Sequence, residues 1–214
     1  MPTRHARVRR TTAPVPAAFV ALAMAAASSL PALAGSVAVQ VVDGTGKPLA
    51  GAVVFLESRE ASAAVRPLPA QQIAQAGRQF IPRVTVVTKG TAVGFPNRDT
   101  VRHHVYSFSP TKKFEIKLYV GTPTEPVVFD QPGIAVLGCN IHDQMAAWVV
   151  VVDSPWYGQT GADGSLAWPA VPAGSYQLRT WHPALAVGAP AAAQGLQVQA
   201  TATQAAVGLT GLTP

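Results

Sequence analysis

Residues 36–42 (SVAVQVV) open the foldable part of the chain with alternating apolar and polar side chains. The turn residues of 43–48 (DGTGKP) follow, and residues 52–56 (AVVFL) form an apolar run. A period of two residues is typical of a strand with one buried face, and clusters of Gly and Pro mark turns. The pattern therefore predicts two strands joined by a turn.

A second series of strand patterns runs from about residue 71 to residue 152. Short apolar stretches at 84–87, 91–95 and 127–129 are separated by turn residues. Residues 146–152 (AAWVVVV) are apolar without interruption, which predicts a strand that is buried on both faces. This block therefore contributes several further strands and a substantial core.

The remaining segments complete an all-β prediction. Residues 57–70 are rich in Ala, Ser, Arg and Pro, which predicts a linker or an exposed loop. Tyr176, Leu178 and Thr180 alternate as in a strand, and a final strand near Val198 precedes a C-terminal tail at 201–214. Because no long segment has a helical period, we expect an all-β fold.

Residues 1–34 have the composition of a signal peptide. Four arginines precede a short apolar stretch at 17–27 (AAFVALAMAAA), and Ala32-Leu33-Ala34 forms a cleavage site before Gly35. The apolar stretch is too short to span a membrane stably, and no later stretch has eighteen consecutive apolar residues. We therefore expect export to the periplasm, by either the Sec or the Tat route, and no stable membrane span.

The basic charge of the chain belongs mainly to this leader. The whole sequence has 16 Lys and Arg against 10 Asp and Glu, a net charge of +6. Removing the four leader arginines leaves 12 basic against 10 acidic residues, a net charge of +2. We therefore expect no nucleic-acid partner.

Residues 138–145 (GCNIHDQM) contain three side chains that can bind metal, at the spacing Cys-x2-His-x2-Met. Outside the leader, Cys139 is the only cysteine and Met145 the only methionine. Together with His142 they form a set of soft and borderline ligands that suits copper. A single thiol in an exported protein is otherwise a free thiol or an intermolecular link.

Each of these residues also has an ordinary interpretation. A lone Cys in a Val-rich protein is commonly a small buried hydrophobic residue, a lone Met commonly fills a core, and a loop His is commonly solvated. Three such residues at ligand spacing favour one metal site over three unrelated roles. A purely structural β-sandwich is the alternative.

A blue copper site requires a second imidazole, and the sequence offers His103 and His104. With a period of two, His103 shares a strand face with Val101 and Val105, whereas His104 lies on the opposite face. A histidine between two valines is placed in the core, so His103 is the predicted ligand and His104 the alternative. Both could instead be solvated or hydrogen-bonded at a strand end.

Two segments, FPNRDTVRHHVYSFS at 95–109 and PGIAVLGCNIHDQM at 132–145, resemble the cupredoxins of the plastocyanin and amicyanin type. The family pattern is F-x-N, then His-Asn-Val, then Cys-x2-His-x2-Met. The chain looks closest to exported cupredoxin-like proteins often labelled methylamine utilization proteins. The resemblance implies one type 1 copper ion held by His103, Cys139 and His142, with Met145 as the axial ligand. This chain has His104 where the family has Asn.

The flanking segments resemble a second type of module. Residues 35–58 and 160–183 look like the two halves of a carboxypeptidase-regulatory-like, transthyretin-like β-sandwich. The expected fold is therefore a cupredoxin Greek-key β-sandwich combined with a small transthyretin-like β-sandwich. The expected domains are a signal peptide (1–34), the first part of the flanking sandwich (35–60), the cupredoxin (70–153), the second part of the sandwich (154–200) and the tail (201–214). His182 is expected to be packed or solvated rather than a ligand.

This ligand set leads us to expect an exported one-electron carrier that works with a redox partner protein and is not an enzyme. The sequence offers no evident acid/base pair of the kind that hydrolases need. One alternative is a periplasmic module that binds or delivers copper without a redox partner. A second is an enzyme with Cys139 as nucleophile and His142 as base, although a third, orienting group is not evident.

Overall fold

The computed structural model describes residues 1, 3 and 33–213. The predicted signal peptide therefore lies almost entirely outside the described residues, and β1 begins at Ala34, one residue before the predicted mature N-terminus. The described elements are β1 (Ala34–Asp43), β2 (Val53–Glu57), α1 (Arg59–Ala64), β3 (Gln71–Gln72), β4 (Ala74–Ala76), β5 (Gln79–Ile81), β6 (Val84–Thr88), β7 (Thr91–Gly94), β8 (His103–Ser109), β9 (Lys112–Tyr119), β10 (Val127–Phe129), β11 (Gly133–Gly138), β12 (Ala146–Val152), β13 (Tyr157–Gln159), β14 (Ser165–Pro172), β15 (Gly174–Trp181), β16 (Ala192–Val198) and β17 (Thr203–Leu209). No helix among these is long and apolar enough to cross a membrane.

Four sheets account for most of these strands, which confirms the all-β prediction. A five-stranded sheet has the order β6-β12-β11-β8-β9, and a four-stranded sheet the order β13-β2-β15-β16. Two three-stranded sheets, β10-β7-β3 and β14-β1-β17, and the hairpin β4-β5 complete the fold. The apolar clusters between the sheets show that they are stacked in layers.

The strand β12 is buried on both faces, as its uninterrupted apolar sequence predicts. Ala147, Val149 and Val151 belong to the core that the five-stranded sheet shares with β7, β10 and the β4-β5 hairpin. Trp148 and Val150 face the opposite way, into a core shared with the four-stranded sheet. Because successive side chains of a strand point to opposite faces, one strand joins two cores.

The strand β2 also has side chains in two cores, one shared with β12 and one with the β14-β1-β17 sheet. Val53 and Phe55 pack in the core shared with β12, whereas Val54 and Leu56 pack against the β14-β1-β17 sheet. Residues before and after the predicted cupredoxin segment thus form two sheets that cover its outer face. The division into domains by sequence segment stays a prediction.

Two segments differ from the sequence-based expectation. The expected linker at 57–70 contains the helix α1, whose N-terminal N–H groups are capped by Ser58, with Ala61 N–H donating to Ser58 Oγ at 3.0 Å. Of the residues in this helix, Ala61 is the one that is buried. The expected tail at 201–214 contains β17, which pairs in parallel with β1 from Val37 to Asp43. Because β17 contains Ala and Gly residues, its alternation of apolar and polar positions is difficult to recognise in the sequence.

His182 is partly buried, as expected of a packed histidine. Its Nδ1 accepts a hydrogen bond from the backbone N–H of Ala184 at 3.1 Å, and its Nε2 lies 3.2 Å from the carbonyl of Ala50. Burial lowers the pKa of His182, and the hydrogen bond to Ala50 opposes that shift. These contacts give the residue a structural role.

Candidate metal centre

The loop that follows β11 brings Cys139, His142 and Met145 together. Gly138 and Ala146 are paired residues of β11 and β12, so the two ends of the loop are held side by side. Within the loop, the N–H of Met145 donates to the carbonyl of His142 at 2.9 Å. The loop is therefore a short link between two core strands, which limits its freedom.

A close approach of Tyr106 also shapes the start of this loop. The ring of Tyr106 packs against Gly138, where an added Cβ would lie 2.7 Å from the Tyr106 Cζ and Oη atoms. Glycine is required at this position for lack of space, since no other side chain fits without moving the ring. Tyr106 of β8 therefore limits the position of Gly138, the residue before Cys139.

Three ligand atoms converge at this loop. The Sγ atom of Cys139 lies 3.8 Å from His103 Nδ1 and 3.8 Å from His142 Nδ1. The two imidazole rings are 5.0 Å apart between centroids, and all three ligand atoms lie within 4.8 Å of one another. Cys139 and His103 are buried, whereas His142 is partly exposed.

These distances suit a metal ion between the three atoms. With metal–sulfur and metal–nitrogen bonds of about 2.3 and about 2.05 Å, as in zinc sites, an angle of about 120° separates sulfur from nitrogen by about 3.8 Å. The observed separations of 3.8 Å therefore match trigonal ligands around one ion. A thiolate and two imidazoles are also the donor set of blue copper sites.

Met145 lies near Cys139. It is 3 % exposed and belongs to the same apolar cluster as Cys139. Both residues line one groove of about 520 Å³. This position is compatible with an axial thioether, which in blue copper sites is a weak and distant ligand.

His103 is held from its far side by Asp99. The Nε2 atom of His103 lies 2.7 Å from Asp99 Oδ2. The same carboxylate accepts hydrogen bonds from the backbone N–H groups of Gly77 at 2.7 Å and Arg78 at 2.9 Å. The hydrogen bond from the backbone of Arg78 is the main reason why the pKa of Asp99 is lowered. Hydrogen bonds from His103 and Gly77 lower it further, whereas burial acts in the opposite direction.

Asn97 builds the turn that places Asp99 under the imidazole. Its Oδ1 accepts the N–H of Asp99 at 2.9 Å, and its Nδ2 donates to the carbonyls of Val101 and Tyr119 at 2.8 and 3.0 Å. Such local bonds are the common use of Asn in turns. Asp99 was not among the residues predicted from the sequence, although Asn-x-Asp four residues before a histidine was a usable signal.

His104 points away from Cys139, to the other side of β8. Its Nε2 is 3.0 Å from Glu115 Oε1, which is an ion-pair distance, although the contact lacks hydrogen-bond geometry. The ring also lies 5.6 Å from the ring of Tyr106. The structure thus brings His103, and not His104, to the thiol.

A hydrogen-bonded pair formed by the half-buried Tyr119 and the buried Gln75 lies at the edge of the same core. The hydroxyl of Tyr119 donates to the carbonyl of Phe95 at 2.7 Å and accepts a hydrogen bond from the amide of Gln75. Burial raises the pKa of Tyr119 to about 12, and the nearby Cys139 contributes to that rise. Tyr119 therefore stays neutral and serves as a structural hydrogen-bonding group.

No protein-family model matches the chain, and no curated protein matches it. Solved structures similar to part of it include a purple cupredoxin from Nitrosopumilus maritimus, with 21 % identity over 38 % of this chain and 99 % of that protein and a TM-score of 0.34. A reduced amicyanin variant has 21 % identity over 46 % of this chain and 98 % of its own, with a TM-score of 0.34. A copper-containing nitrite reductase from Thermus scotoductus has 23 % identity over 52 % of this chain, with a TM-score of 0.37, and this chain spans 28 % of its length. The likenesses are partial, so the account of the metal centre rests on its own residues.

Proposed function

We propose that this protein is an exported carrier of single electrons in which His103, Cys139 and His142, together with Met145, would hold one type 1 copper ion. The observation that supports the proposal most directly is the equal distance of 3.8 Å from Cys139 Sγ to both Nδ1 atoms. When bound, copper would supply a one-electron exchange between Cu(I) and Cu(II).

The residues around the ligands limit movement at the site. Cys139 and Met145 are 4 % and 3 % exposed, and His103 is fully buried. Their backbone is joined to β8, β11 and β12, which pack in a core of valine, leucine and phenylalanine side chains. A ligand set that keeps its geometry in both charge states lowers the cost of reorganisation, which is what electron transfer requires.

His142 is the ligand through which we propose that electrons enter and leave. It is the ligand on the loop that retains partial exposure, and its neighbour Ile141 is 46 % exposed. A partly exposed imidazole bordered by an apolar side chain allows close approach of another protein without displacing a buried ligand. The proposed partner is a redox protein in the periplasm.

The proposal is tested by reversible electrochemistry of the copper-loaded protein. We expect a one-electron wave that survives repeated cycling, with copper retained in both states. Met145→Leu is a matched variant of similar volume, which should keep the wave and shift its potential because only the axial donor changes.

Loss of copper on reduction would contradict the electron-carrier proposal and would favour a module that delivers copper. Failure of the wild type to bind Cu(II) would refute both the electron-carrier proposal and the copper-delivery alternative. Protection of Cys139 from alkylation by bound copper would support the sulfur as a ligand and count against Cys139 as an enzymatic nucleophile.

A further inference from the structure

Asp99 is a carboxylate in contact with a proposed metal ligand. It touches His103 at the nitrogen that does not face Cys139, with an Nε2–Oδ2 distance of 2.7 Å. The side chain of Asp99 is only 15 % exposed and that of His103 is not exposed. Because both side chains are largely shielded from solvent, the interaction between His103 and Asp99 is screened little.

The contacts of the carboxylate determine which nitrogen of His103 holds the proton. Asp99 already accepts two backbone N–H groups, from Gly77 to Oδ1 and from Arg78 to Oδ2. An ionised carboxylate can only accept hydrogen bonds, so the Nε2 of His103 must donate to it. The lone pair of a neutral His103 then lies on Nδ1, the atom that faces the thiol.

The support of Asp99 comes from the backbone of the β4-β5 turn. Arg78 has a φ of 58°, which is uncommon for a residue with a side chain, and its N–H points at the carboxylate. Gly77 in the same turn has a φ of 60°. The turn therefore adopts a demanding conformation that directs two successive N–H groups at one side chain.

We propose that Asp99 is a positioning residue that keeps the proton of His103 on Nε2 and leaves Nδ1 free to face Cys139, and that the negative charge of Asp99 favours the more highly charged state of the bound ion. A carboxylate that accepts from a ligand histidine orients the ring and makes its other nitrogen more basic. A fixed negative charge also attracts a divalent ion more strongly than a monovalent one. The claim about the charge state of the ion rests on the proposed copper function, whereas the claim that Asp99 positions His103 does not.

The first test is made on the metal-free full chain. Long-range proton–nitrogen correlation spectra of histidine-labelled protein distinguish the two neutral tautomers, and His103→Gln identifies the signals of His103. We expect the Nε2–H tautomer in the wild type and a mixture of tautomers in Asp99→Leu. A wild-type His103 with its proton on Nδ1 would overturn the positioning role, whatever the copper measurements show.

The second test compares copper affinities of Asp99→Asn and wild type. Because partners of metal-bound histidines typically contribute about 10- to 100-fold to affinity, we expect Cu(II) affinity to fall by about that factor in Asp99→Asn, and to fall more than Cu(I) affinity because the lost charge acts more strongly on the divalent ion. For one electron, a tenfold fall in the ratio of Cu(II) affinity to Cu(I) affinity corresponds to a rise of about 59 mV in reduction potential. An unchanged ratio would overturn the electrostatic role.

Two control variants separate the carboxylate from other causes. Asp143→Asn removes an exposed charge from the ligand loop itself, so an equal shift in this variant would refute a specific role of Asp99. Gly77→Ala strains the same turn through its positive φ and keeps the Asp99 carboxylate. If Gly77→Ala reproduces the full shift, the turn and not the carboxylate is responsible. If Asp99→Asn does not fold, the tautomer of His103 in the wild type still tests whether Asp99 positions His103.

Discussion

The substitution Val150→Ala tests whether the proposed copper-binding layers and the flanking layers fold as one unit. Val150 is 1 % exposed and lies in the core between the five-stranded and four-stranded sheets. Removing two methyl groups costs about 1.6 kcal/mol of transfer free energy, and the cavity brings the loss to about 2–3 kcal/mol. For a chain of this length we expect the melting temperature to fall by about 4–12 °C.

The assay is thermal and denaturant unfolding, followed both by far-ultraviolet circular dichroism and by tryptophan fluorescence. Val149→Ala is a matched control, because Val149 is equally buried in the neighbouring position but faces the core of the metal centre. Both variants should unfold in a single transition with similar losses of stability. Two separate transitions, or a loss below about 0.5 kcal/mol for Val150→Ala, would refute the shared core.

Three further predictions concern single contacts. Gly138→Ala should cost about 1–3 kcal/mol because the new Cβ meets the ring of Tyr106, and thermal unfolding of the double variant with Tyr106→Ala should show less than additive losses. Tyr119→Phe should cost about 0.5–1.5 kcal/mol in denaturant unfolding, because the carbonyl of Phe95 loses the Tyr119 hydroxyl as a donor but keeps Gln75 Nε2 at 3.3 Å; unchanged stability would contradict this reasoning. Burial holds the folded pKa of His182 below the ordinary pKa of histidine, so its contribution to stability is complete above that ordinary value and is lost as the pH falls through the folded pKa. Stability measured between pH 8 and pH 5 should therefore fall less in His182→Asn than in the wild type.

The sequence predicts the strands best where a strand has a simple pattern of burial. The run of valines in β12 indicates two buried faces, and the structure has Val149 in one core and Val150 in the next. The alternating sequence of β1 is equally clear. By contrast, β17 pairs with β1 although its apolar residues are mixed with Ala, Gly and Gln, because the edge of β1 supplies the hydrogen bonds. Pairing of this kind depends on the partner strand and cannot be read from local composition.

The candidate site shows the same division between local and distant information. The spacing of Cys139, His142 and Met145 is local, so the motif alone indicates that they share a loop. The choice of His103 over His104 followed from strand alternation between Val101 and Val105. The structure confirms this for Val105, which is buried, but Val101 precedes β8 and is 36 % exposed, so that part of the prediction was wrong. Asp99 was missed because its role depends on the backbone N–H groups of Gly77 and Arg78, about twenty residues away in the chain. The Asn97-x-Asp99 turn before His103 is the local part of the signal, whereas the contacts with Gly77 and Arg78 cannot be predicted from it.

The visible and paramagnetic-resonance spectra of the purified protein after addition of one equivalent of Cu(II) test the central proposal most directly. The proposed Cys139 thiolate bond predicts intense visible absorption from sulfur-to-copper charge transfer, together with the narrow copper hyperfine splitting of a blue site. Cys139→Ser should lose this absorption while the fold is retained. A wild type that binds Cu(II) without the absorption band, or a Cys139→Ser variant that keeps it, would contradict the account.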